Sequence, residues 1–452
     1  MQQLTKLLTA INHPIRSCLF ALAAALMLVS CGGGGGGDSN TITTPEIPTA
    51  LGSTSLAGTF NYYRDGSTNN PVSYMYARDI DGDGIDEVFF IAFETQPNTP
   101  NQYSNTSVHI FGWEAGVFKE ITSKWLPNDT YLIEGAGDMV FGDFNGDGKT
   151  DVFLSAYTDM NQPTNAYVLI NEGSSFTKVS LGQETWQHGL AVADINGDGF
   201  DDVIAAGYSD FSQYMGSATG LVKFRGMVGS SGVALGDFLG NGQKQAIFVD
   251  AGSGSNDTFL YSININSELR TIGFTKISTL PGPVLTDSHD IRARVIDFDY
   301  DGKLDVVVFS YRYGLTSETE PRSEVQFLKN MGGGQFTDVT STVRVGYTNT
   351  SGMGYAPVFR DFNGDGLLDL FFSGPDWFSN NQHKSTTLLL QQANATFKES
   401  FKTELSQAIE SGGGQAVLAK GPNQAFYLVK ETGWKQDGLT RVYVQKANFL
   451  SP

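Results

Sequence analysis

"FGDFNGDGKTDVFLSAY", residues Phe141–Tyr157, decides how the chain is interpreted. It places three aspartates and one asparagine within nine residues and then runs directly into an apolar segment with the β-branched and aromatic composition of a strand. At this point a catalytic carboxylate cluster, a metal-binding loop and a solvated surface turn are all open. The rest of the chain must decide between them.

The same segment recurs along the chain, which predicts a repeat architecture. Each copy has an apolar strand, the acidic loop, a second strand, a variable polar stretch and two further short strands, as in a propeller blade. The copies are "DIDGDGIDEVFF" at 79, "DFNGDGKTDVFL" at 143, "DINGDGFDDVIA" at 194, "DFLGNGQKQAIF" at 237, "DFDYDGKLDVVV" at 297 and "DFNGDGLLDLFF" at 361. A seventh copy, "AVLAKGPNQAFYLV", keeps the apolar pattern without the acids.

These units predict an all-β fold, a seven-bladed β-propeller of four-stranded antiparallel blades over residues 57–452. The last blade lacks an obvious fourth strand. "GTFNYYR", Gly58–Arg64, stands alone before the first blade and could supply it. Such a closure by both chain ends would remove exposed sheet edges.

The repeated "DxDxDG" loops make the chain resemble the FG-GAP/VCBS repeats that build the propeller of integrin α chains and of many bacterial surface proteins. The resemblance covers roughly residues 57–452. It implies that the acidic loops join strands one and two on one face of the propeller. The loops between strands two and three would then lie on the opposite face.

Positions 1, 3, 5 and 9 of the loop carry side chains with oxygen atoms, and position 6 is glycine. Position 7 would offer its main-chain carbonyl oxygen. A set of oxygen ligands of this kind suits Ca²⁺ better than Mg²⁺. An EF-hand is excluded, because its position 12 would need a glutamate and here it is apolar. The fourth loop, with Leu239, Asn241 and Gln245, is expected to bind no ion. We expect about five structural Ca²⁺ sites, formed by Asp79, Asp81, Asp83, Ile85 and Glu87; Asp143, Asn145, Asp147, Lys149 and Asp151; Asp194, Asn196, Asp198, Phe200 and Asp202; Asp297, Asp299, Asp301, Lys303 and Asp305; and Asp361, Asn363, Asp365, Leu367 and Asp369.

The N-terminus predicts export and membrane attachment. Residues 1–30 have a basic start and an apolar run too short to be a good membrane span. The run ends in "LVSC", which resembles the lipobox of bacterial lipoproteins and makes Cys31 the lipidation site. An ordinary secretory signal or a membrane anchor is the alternative. Residues 31–56 are read as the lipidated cysteine and a flexible linker, and Gly32 after the cysteine favours the outer membrane by resemblance to lipoprotein sorting rules.

The net charge of −19 argues against nucleic acid as a partner, because little could neutralise phosphates. A glycan or protein ligand is expected instead on the face opposite the acidic loops, where exposed aromatic side chains could stack or dock. The aromatic candidates are Tyr157, Tyr208, Phe211, Tyr214, Tyr311, Tyr313, Trp377, Phe378 and Trp434.

Two functions therefore stay open. The first is a lipid-tethered, calcium-stabilised adhesion or recognition module. The second is a polysaccharide lyase or hydrolase, for which the catalytic candidates are His188, His289, Arg292, Arg294, Tyr208 and Tyr311. Each histidine also has a simpler interpretation as a polar residue at the start of a strand, and the binding module is the favoured hypothesis.

Overall fold

The computed structural model describes residues 54–61, 74–93, 106–128, 132–133, 135–156, 163–207, 212–250, 257–283, 288–312, 323–345, 357–373, 385–404, 415–431 and 439–447. All of them belong to one compact unit, Ile47–Pro452. In these ranges no helix is both long and apolar enough to cross a membrane. The predicted signal, Cys31 and most of the predicted linker lie outside the described residues.

Nearly all regular structure is strand, as the composition predicts. The strands of the first third are β1 (Thr54–Asn61), β2 (Tyr74–Arg78), β3 (Glu87–Phe93), β4 (Thr106–Glu114), β5 (Val117–Glu120), β6 (Leu132–Ile133), β7 (Ala136–Gly142), β8 (Asp151–Ala156), β9 (Thr164–Asn171) and β10 (Phe176–Glu184). A single helical turn, α1 (Thr122–Trp125), follows β5.

The middle third continues the pattern of short strands. They are β11 (Gln187–Ala193), β12 (Asp202–Gly207), β13 (Ser212–Met215), β14 (Val222–Arg225), β15 (Gly232–Gly236), β16 (Gln245–Val249), β17 (Phe259–Asn266), β18 (Thr271–Thr279), β19 (Ser288–Ile296), β20 (Asp305–Arg312), β21 (Ser323–Gly332) and β22 (Gln335–Asp338).

The last third holds a second helical turn, α2 (Thr340–Val343), and one short 3₁₀ turn, Pro422–Gln424. Its strands are β23 (Arg344–Val345), β24 (Val358–Arg360), β25 (Asp369–Ser373), β26 (Ser385–Gln391), β27 (Phe397–Glu404), β28 (Ala416–Lys420), β29 (Phe426–Glu431) and β30 (Leu439–Lys446).

The described strands form six sheets in a propeller-like arrangement. Five sheets have four or five strands: β2–β5 with β6, β7–β10, β19–β22, β24–β27 with β23, and β28–β30 with β1. The sixth has eight strands in the order β11-β12-β13-β14-β18-β17-β16-β15. The prediction of seven separate blades is therefore wrong as a count, since five sheets have the size of a blade.

The eight-stranded sheet explains the difference. Its two halves, β11–β14 and β15–β18, are each antiparallel. They are joined at their outer strands by one parallel pair, Arg225 with Thr271. The sequence gives no sign of this pair, because a single bridge between two strand ends needs no special composition.

Alternate side chains of a strand point to opposite faces of its sheet, and along β8 both faces are buried. Val152 and Leu154 of β8 pack in one cluster with Phe89 of the preceding sheet. Phe153, between them, packs with Val203 of the following group of strands. A sheet with two apolar faces needs a neighbour on each side, and this requirement drives the sheets to pack face to face in series.

The two chain ends meet in one sheet. β1 pairs antiparallel with β30, in register from Thr54 with Gln445 to Asn61 with Leu439. A further cluster packs Val417 and Val429 of this sheet against Val88 and Phe111 of β3 and β4, so the first and last sheets are neighbours. The predicted closure by an N-terminal strand is confirmed, although the strand starts at Thr54, within the segment predicted to be linker.

Candidate functional site

The acidic loops occupy equivalent places in the fold. Each joins the first strand of a group to the second: β2 to β3, β7 to β8, β11 to β12, β19 to β20 and β24 to β25. The fourth loop, between β15 and β16, has the same place and keeps Asp237 at position 1, but it has no acid at positions 3, 5 and 9. The residues predicted at positions 1, 3, 5, 7 and 9 of each loop therefore lie in or directly after one hairpin connection.

The position-1 aspartate organises the loop. Asp143 accepts hydrogen bonds from the main-chain N–H of Gly146 (2.7 Å to Oδ1) and of Gly148 (2.9 Å to Oδ2). Both glycines have positive φ, at 75° and 82°, a conformation that other residues adopt only with strain. The same pair of bonds is made by Asp79, Asp194 and Asp361.

The position-9 carboxylate is buried and fixed from two directions. Asp151 is fully buried and accepts from the N–H of Phe144 (3.1 Å) in its own loop and of Asn171 (2.8 Å) at the end of β9. Asp202, Asp305 and Asp369 are held in the same way by one N–H of the loop and one from the third strand or the residue after it. Each such carboxylate thus ties the loop to the sheet interior.

Burial makes these carboxyl groups costly to ionise. The pKa of Glu87 is raised to about 8, that of Asp151 to about 6, and those of Asp202, Asp305 and Asp369 to about 7. Burial is the largest cause of these shifts, and the other acids of each loop contribute in the same direction. In two loops, Asp79–Asp81–Glu87 and Asp297–Asp299–Asp305, one oxygen from each residue lies within 4.8 Å of the others. Crowded, buried carboxylates are compensated by a hard cation, so the donor set fits Ca²⁺.

The fourth loop shows what replaces the acids. Gln245, at position 9, accepts from the N–H of Phe238 (2.8 Å), as the carboxylates do. Its amide nitrogen donates to the position-7 carbonyl of Gln243 (2.7 Å) and lies 3.5 Å from Oδ1 of Asn241 at position 5. Here an amide N–H₂ group contacts the oxygens that are predicted as ligands in the other loops.

The two histidines lie in different surroundings. The Nδ1 of His188 lies 3.3 Å from the carbonyl oxygen of Ser231, and burial, followed by the nearby Arg292, lowers the pKa of His188 to about 4. His289 is about half exposed, with Nδ1 3.6 Å from a carboxylate oxygen of Asp250. His188 is therefore a neutral imidazole at neutral pH.

Two of the aromatic residues predicted on an exposed face lie in the core instead. Tyr214 and Tyr311 are fully buried, in two different hydrophobic clusters. Tyr311 alternates along β20 with Phe309 and Val307 and shares their buried face, which is the pattern that would have revealed it. The other candidates, Tyr157, Tyr208, Phe211, Tyr313, Trp377, Phe378 and Trp434, lie outside the described residues.

Three side-chain amides at the ends of third strands were missed by the sequence interpretation. The Nδ2 of Asn171 donates to the carbonyl of Ile80 (2.8 Å), which is position 2 of the acidic loop in the preceding sheet. Asn330 contacts Phe238 (2.9 Å) and Gln391 contacts Phe298 (2.5 Å) in the same relation. Each amide therefore links its sheet to the loop of its neighbour, and the shared position after an apolar strand is the signal that could have found them.

The first strands of five groups, β2, β7, β11, β15 and β19, line a pocket of about 300 Å³. Its polar part combines Tyr76, Asp138, Arg292 and Arg294. The hydroxyl of Tyr76 donates to Asp138 Oδ1 (2.5 Å), and Nη2 of Arg292 lies 3.4 Å from Asp138 Oδ2. Arg292 was a catalytic candidate, but it is buried and bonded to this carboxylate and to the carbonyl oxygens of Ile291 (2.9 Å) and Ser231 (3.3 Å).

The fold and the loops define an all-β protein of propeller type with repeated acidic hairpin loops. A family model described as an FG-GAP-like repeat matches residues 79–154, 143–205 and 297–372. The chain thus carries three FG-GAP-like repeats, consistent with the FG-GAP, integrin-α-like β-propeller family.

The chain is also similar to two curated proteins, both named cartilage acidic protein 1. It is 24% identical to that of Xenopus tropicalis over 343 residues and 24% identical to that of Mus musculus over 331 residues. Each match covers 66% of this chain and 47% of the relative, so the chain spans about half the length of the relatives it matches.

Similar solved structures have low identity and low TM-scores. The N-terminal part of BBS1 in complex with ARL6 has a TM-score of 0.42 at 9% identity, covering 84% of this chain and 97% of that one. The exotype rhamnogalacturonan lyase YesX has a TM-score of 0.39 at 13% identity, covering 88% and 75%. The NanB sialidase of Streptococcus pneumoniae has a TM-score of 0.36 at 11% identity, covering 89% and 71%.

Proposed function

We propose that this chain is a calcium-stabilised binding module of a bacterial cell envelope, tethered by lipid on Cys31 and recognising a glycan or a protein. The observation that carries the proposal is the repeated loop geometry, in which a buried position-9 carboxylate is held beside further acids at the same hairpin of five strand groups. Five equivalent sites at strand junctions suit structural ions better than a catalytic ion, because an active site is usually a single arrangement of residues that is not repeated.

The enzyme alternative, a polysaccharide lyase or hydrolase, receives less support from the described residues. Its histidine at position 188 is neutral and bonded to a main-chain carbonyl, and Tyr311 is buried in the core. A general base must reach its substrate with a pKa near the working pH. Neither His188 nor Tyr311 combines these properties.

The fourth loop supplies an internal control for the calcium test. Titration of the chelator-treated protein with CaCl₂ is expected to show saturable binding, and Ca²⁺ is expected to raise the melting temperature. Asp361→Asn removes one ligand charge from an acidic loop and should lower the number of bound ions by one. Asp237→Asn changes the same position of the fourth loop and should leave the number unchanged. Equal melting with Ca²⁺ and with EDTA, or equal stoichiometry in both variants, would contradict the calcium proposal.

The tether and the ligand need separate experiments. Incorporation of labelled palmitate in a Gram-negative host should occur in the wild type and be lost in Cys31→Ser, while an unlabelled wild type would count against lipidation. A glycan array probed with and without Ca²⁺ should identify bound sugars. Incubation with acidic polysaccharides should yield no ultraviolet-absorbing unsaturated uronates, and their appearance would favour the lyase.

A further inference from the structure

The pocket formed by β2, β7, β11, β15 and β19 has a charge opposite to that of the protein. The chain has a net charge of −19. The ionisable side chains that line the pocket are Arg78, Arg292 and Arg294 against a single carboxylate, Asp138, with Tyr76 as a neutral donor. The pocket thus concentrates positive charge within an acidic protein, which draws anions toward it.

Asp138 cannot compensate both inner arginines. Its oxygens already accept from the Tyr76 hydroxyl, from the main-chain N–H of Met139 (2.8 Å) and from Arg292. Arg294, two residues along the same strand as Arg292, donates from Nε to the carbonyl oxygen of Pro357 (3.1 Å) and from Nη1 to that of Ala293 (3.0 Å). Within the described part of the chain, no carboxylate lies within 4.0 Å of the Arg294 guanidinium.

The surroundings of Arg294 disfavour its charged, protonated form. Burial lowers the pKa of Arg294 and the neighbouring Arg292 acts in the same direction, while Tyr76 and Asp138 oppose this shift only in part. Guanidinium groups pair with oxyanions through parallel N–H···O bonds, and an oxyanion at this place would relieve the repulsion between the two arginines.

The remaining residues of the lining are apolar, and they indicate that the bound anion has an organic part. Val140, Leu190, Val233 and Ala234 belong to the wall, and the pocket volume of about 300 Å³ is at the lower end of small-molecule sites. Arg78, which is exposed, also belongs to the lining and adds a positive charge that solvent can reach. This combination suits an organic molecule that carries one oxyanion group.

We propose that this pocket binds a small organic oxyanion, with a carboxylate or phosphate group held by Arg294 and Arg292 and the organic part against the apolar wall. The site goes beyond the proposed calcium and surface-recognition roles and depends on neither. Only the two guanidinium groups and the wall are needed.

Calorimetric titration of the full chain in excess CaCl₂ tests the site with three probes of similar size. Glucuronate and glucose 6-phosphate are expected to bind, and their relative affinities separate a carboxylate ligand from a phosphate ligand. Glucose, which lacks the charge, should not bind. Arg294→Gln should weaken the binding of the charged probes by about tenfold or more, because it removes a charge-assisted hydrogen-bond donor.

Arg225→Gln is the matched control, since Arg225 is exposed on β14 outside the pocket, and it should bind as the wild type does. If Arg294→Gln fails to unfold cooperatively, Arg78→Gln, at an exposed residue of the lining, takes its place. The proposal is overturned if neither charged probe binds in the millimolar range, or if the pocket variant binds as tightly as Arg225→Gln. The second result would place any bound sugar acid elsewhere on the protein and would leave the surface-recognition proposal standing.

Discussion

His188 offers the sharpest test of whether this protein is built for binding or for catalysis. Its side chain lies on β11 with Nδ1 3.3 Å from the Ser231 carbonyl oxygen, and the charged groups that face it are Arg292 and, beyond it, Asp138. Its pKa in the folded protein is about 4, below the ordinary value of about 6.5, because burial and Arg292 both oppose a second positive charge.

The sign of the pH effect follows from this depressed pKa. Between about pH 6.5 and pH 4 the unfolded chain binds a proton at His188 and the folded chain does not, so stability is lost as the pH falls through this window. Lowering the pH from about 7.5 to about 5 should therefore reduce the free energy of unfolding by about 2 kcal/mol through His188. Above about pH 7 the contribution is complete and constant.

The perturbation is His188→Gln, which keeps an N–H donor for the Ser231 carbonyl and removes the titration. Urea unfolding of both proteins in excess Ca²⁺ at about pH 5 and about pH 7.5 gives four free energies of unfolding. The wild type should lose about 2 kcal/mol more than the variant on acidification. Using the difference between the two proteins cancels the acidic loops, whose carboxyl groups titrate in both.

Equal pH dependence in the two proteins would refute the reasoning. It would mean that His188 binds protons equally well when folded and unfolded, as an accessible imidazole does. Such a histidine would be available as a base or acid near neutral pH, and the polysaccharide-lyase hypothesis would regain its strongest candidate.

Two further substitutions test how neighbouring groups of strands are held together. Gly189→Ala would place a Cβ 2.5 Å from Gly232 Cα and 2.9 Å from the Ser231 oxygen. The free energy of unfolding measured in urea should therefore fall by about 1–3 kcal/mol. The control Gly282→Ala, at a glycine with open space around it, should change this free energy by less than about 0.5 kcal/mol. Asn171→Ala leaves the carbonyls of Ile80 and Thr150 without their amide partner and should cost about 1–3 kcal/mol, whereas Asn264→Ala, at an exposed bond to Thr275, should be nearly neutral. A neutral Gly189→Ala or Asn171→Ala would show that these contacts between neighbouring groups of strands are not tight.

The hairpin position of the acidic loops could be predicted because it follows from local rules. Glycine at position 6 requires a turn, and the β-branched residues after position 9 require a strand, so the sequence fixes both sides of each loop. The closure of the sheet by β1 could be predicted because an unpaired strand and an incomplete sheet are both visible in the repeat pattern.

The errors arise where long-range packing decides. Tyr214 and Tyr311 were assigned to a surface because they stand near variable segments, but the alternation along their strands puts them on faces covered by the next sheet. The joining of β14 to β18 depends on the approach of two outer strand ends. The sequence of a single repeat does not show which sheet will cover these tyrosines. It also does not show that the ends of β14 and β18 will meet.

The same distinction separates the two sites proposed for this protein. The calcium loops repeat because each is built from nine consecutive residues, so a sequence pattern alone identifies them. The anion pocket does not repeat, since Tyr76, Asp138 and Arg294 come from the first strands of three different groups and meet only after the sheets have packed. A repeat protein can thus gain a unique site where the equivalent strands converge, because there a substitution in one repeat changes the chemistry without disturbing the others. Arg294 of β19 is such a substitution: the corresponding positions of β7, β11 and β15 hold Val140, Ala191 and Ala234 on the same wall.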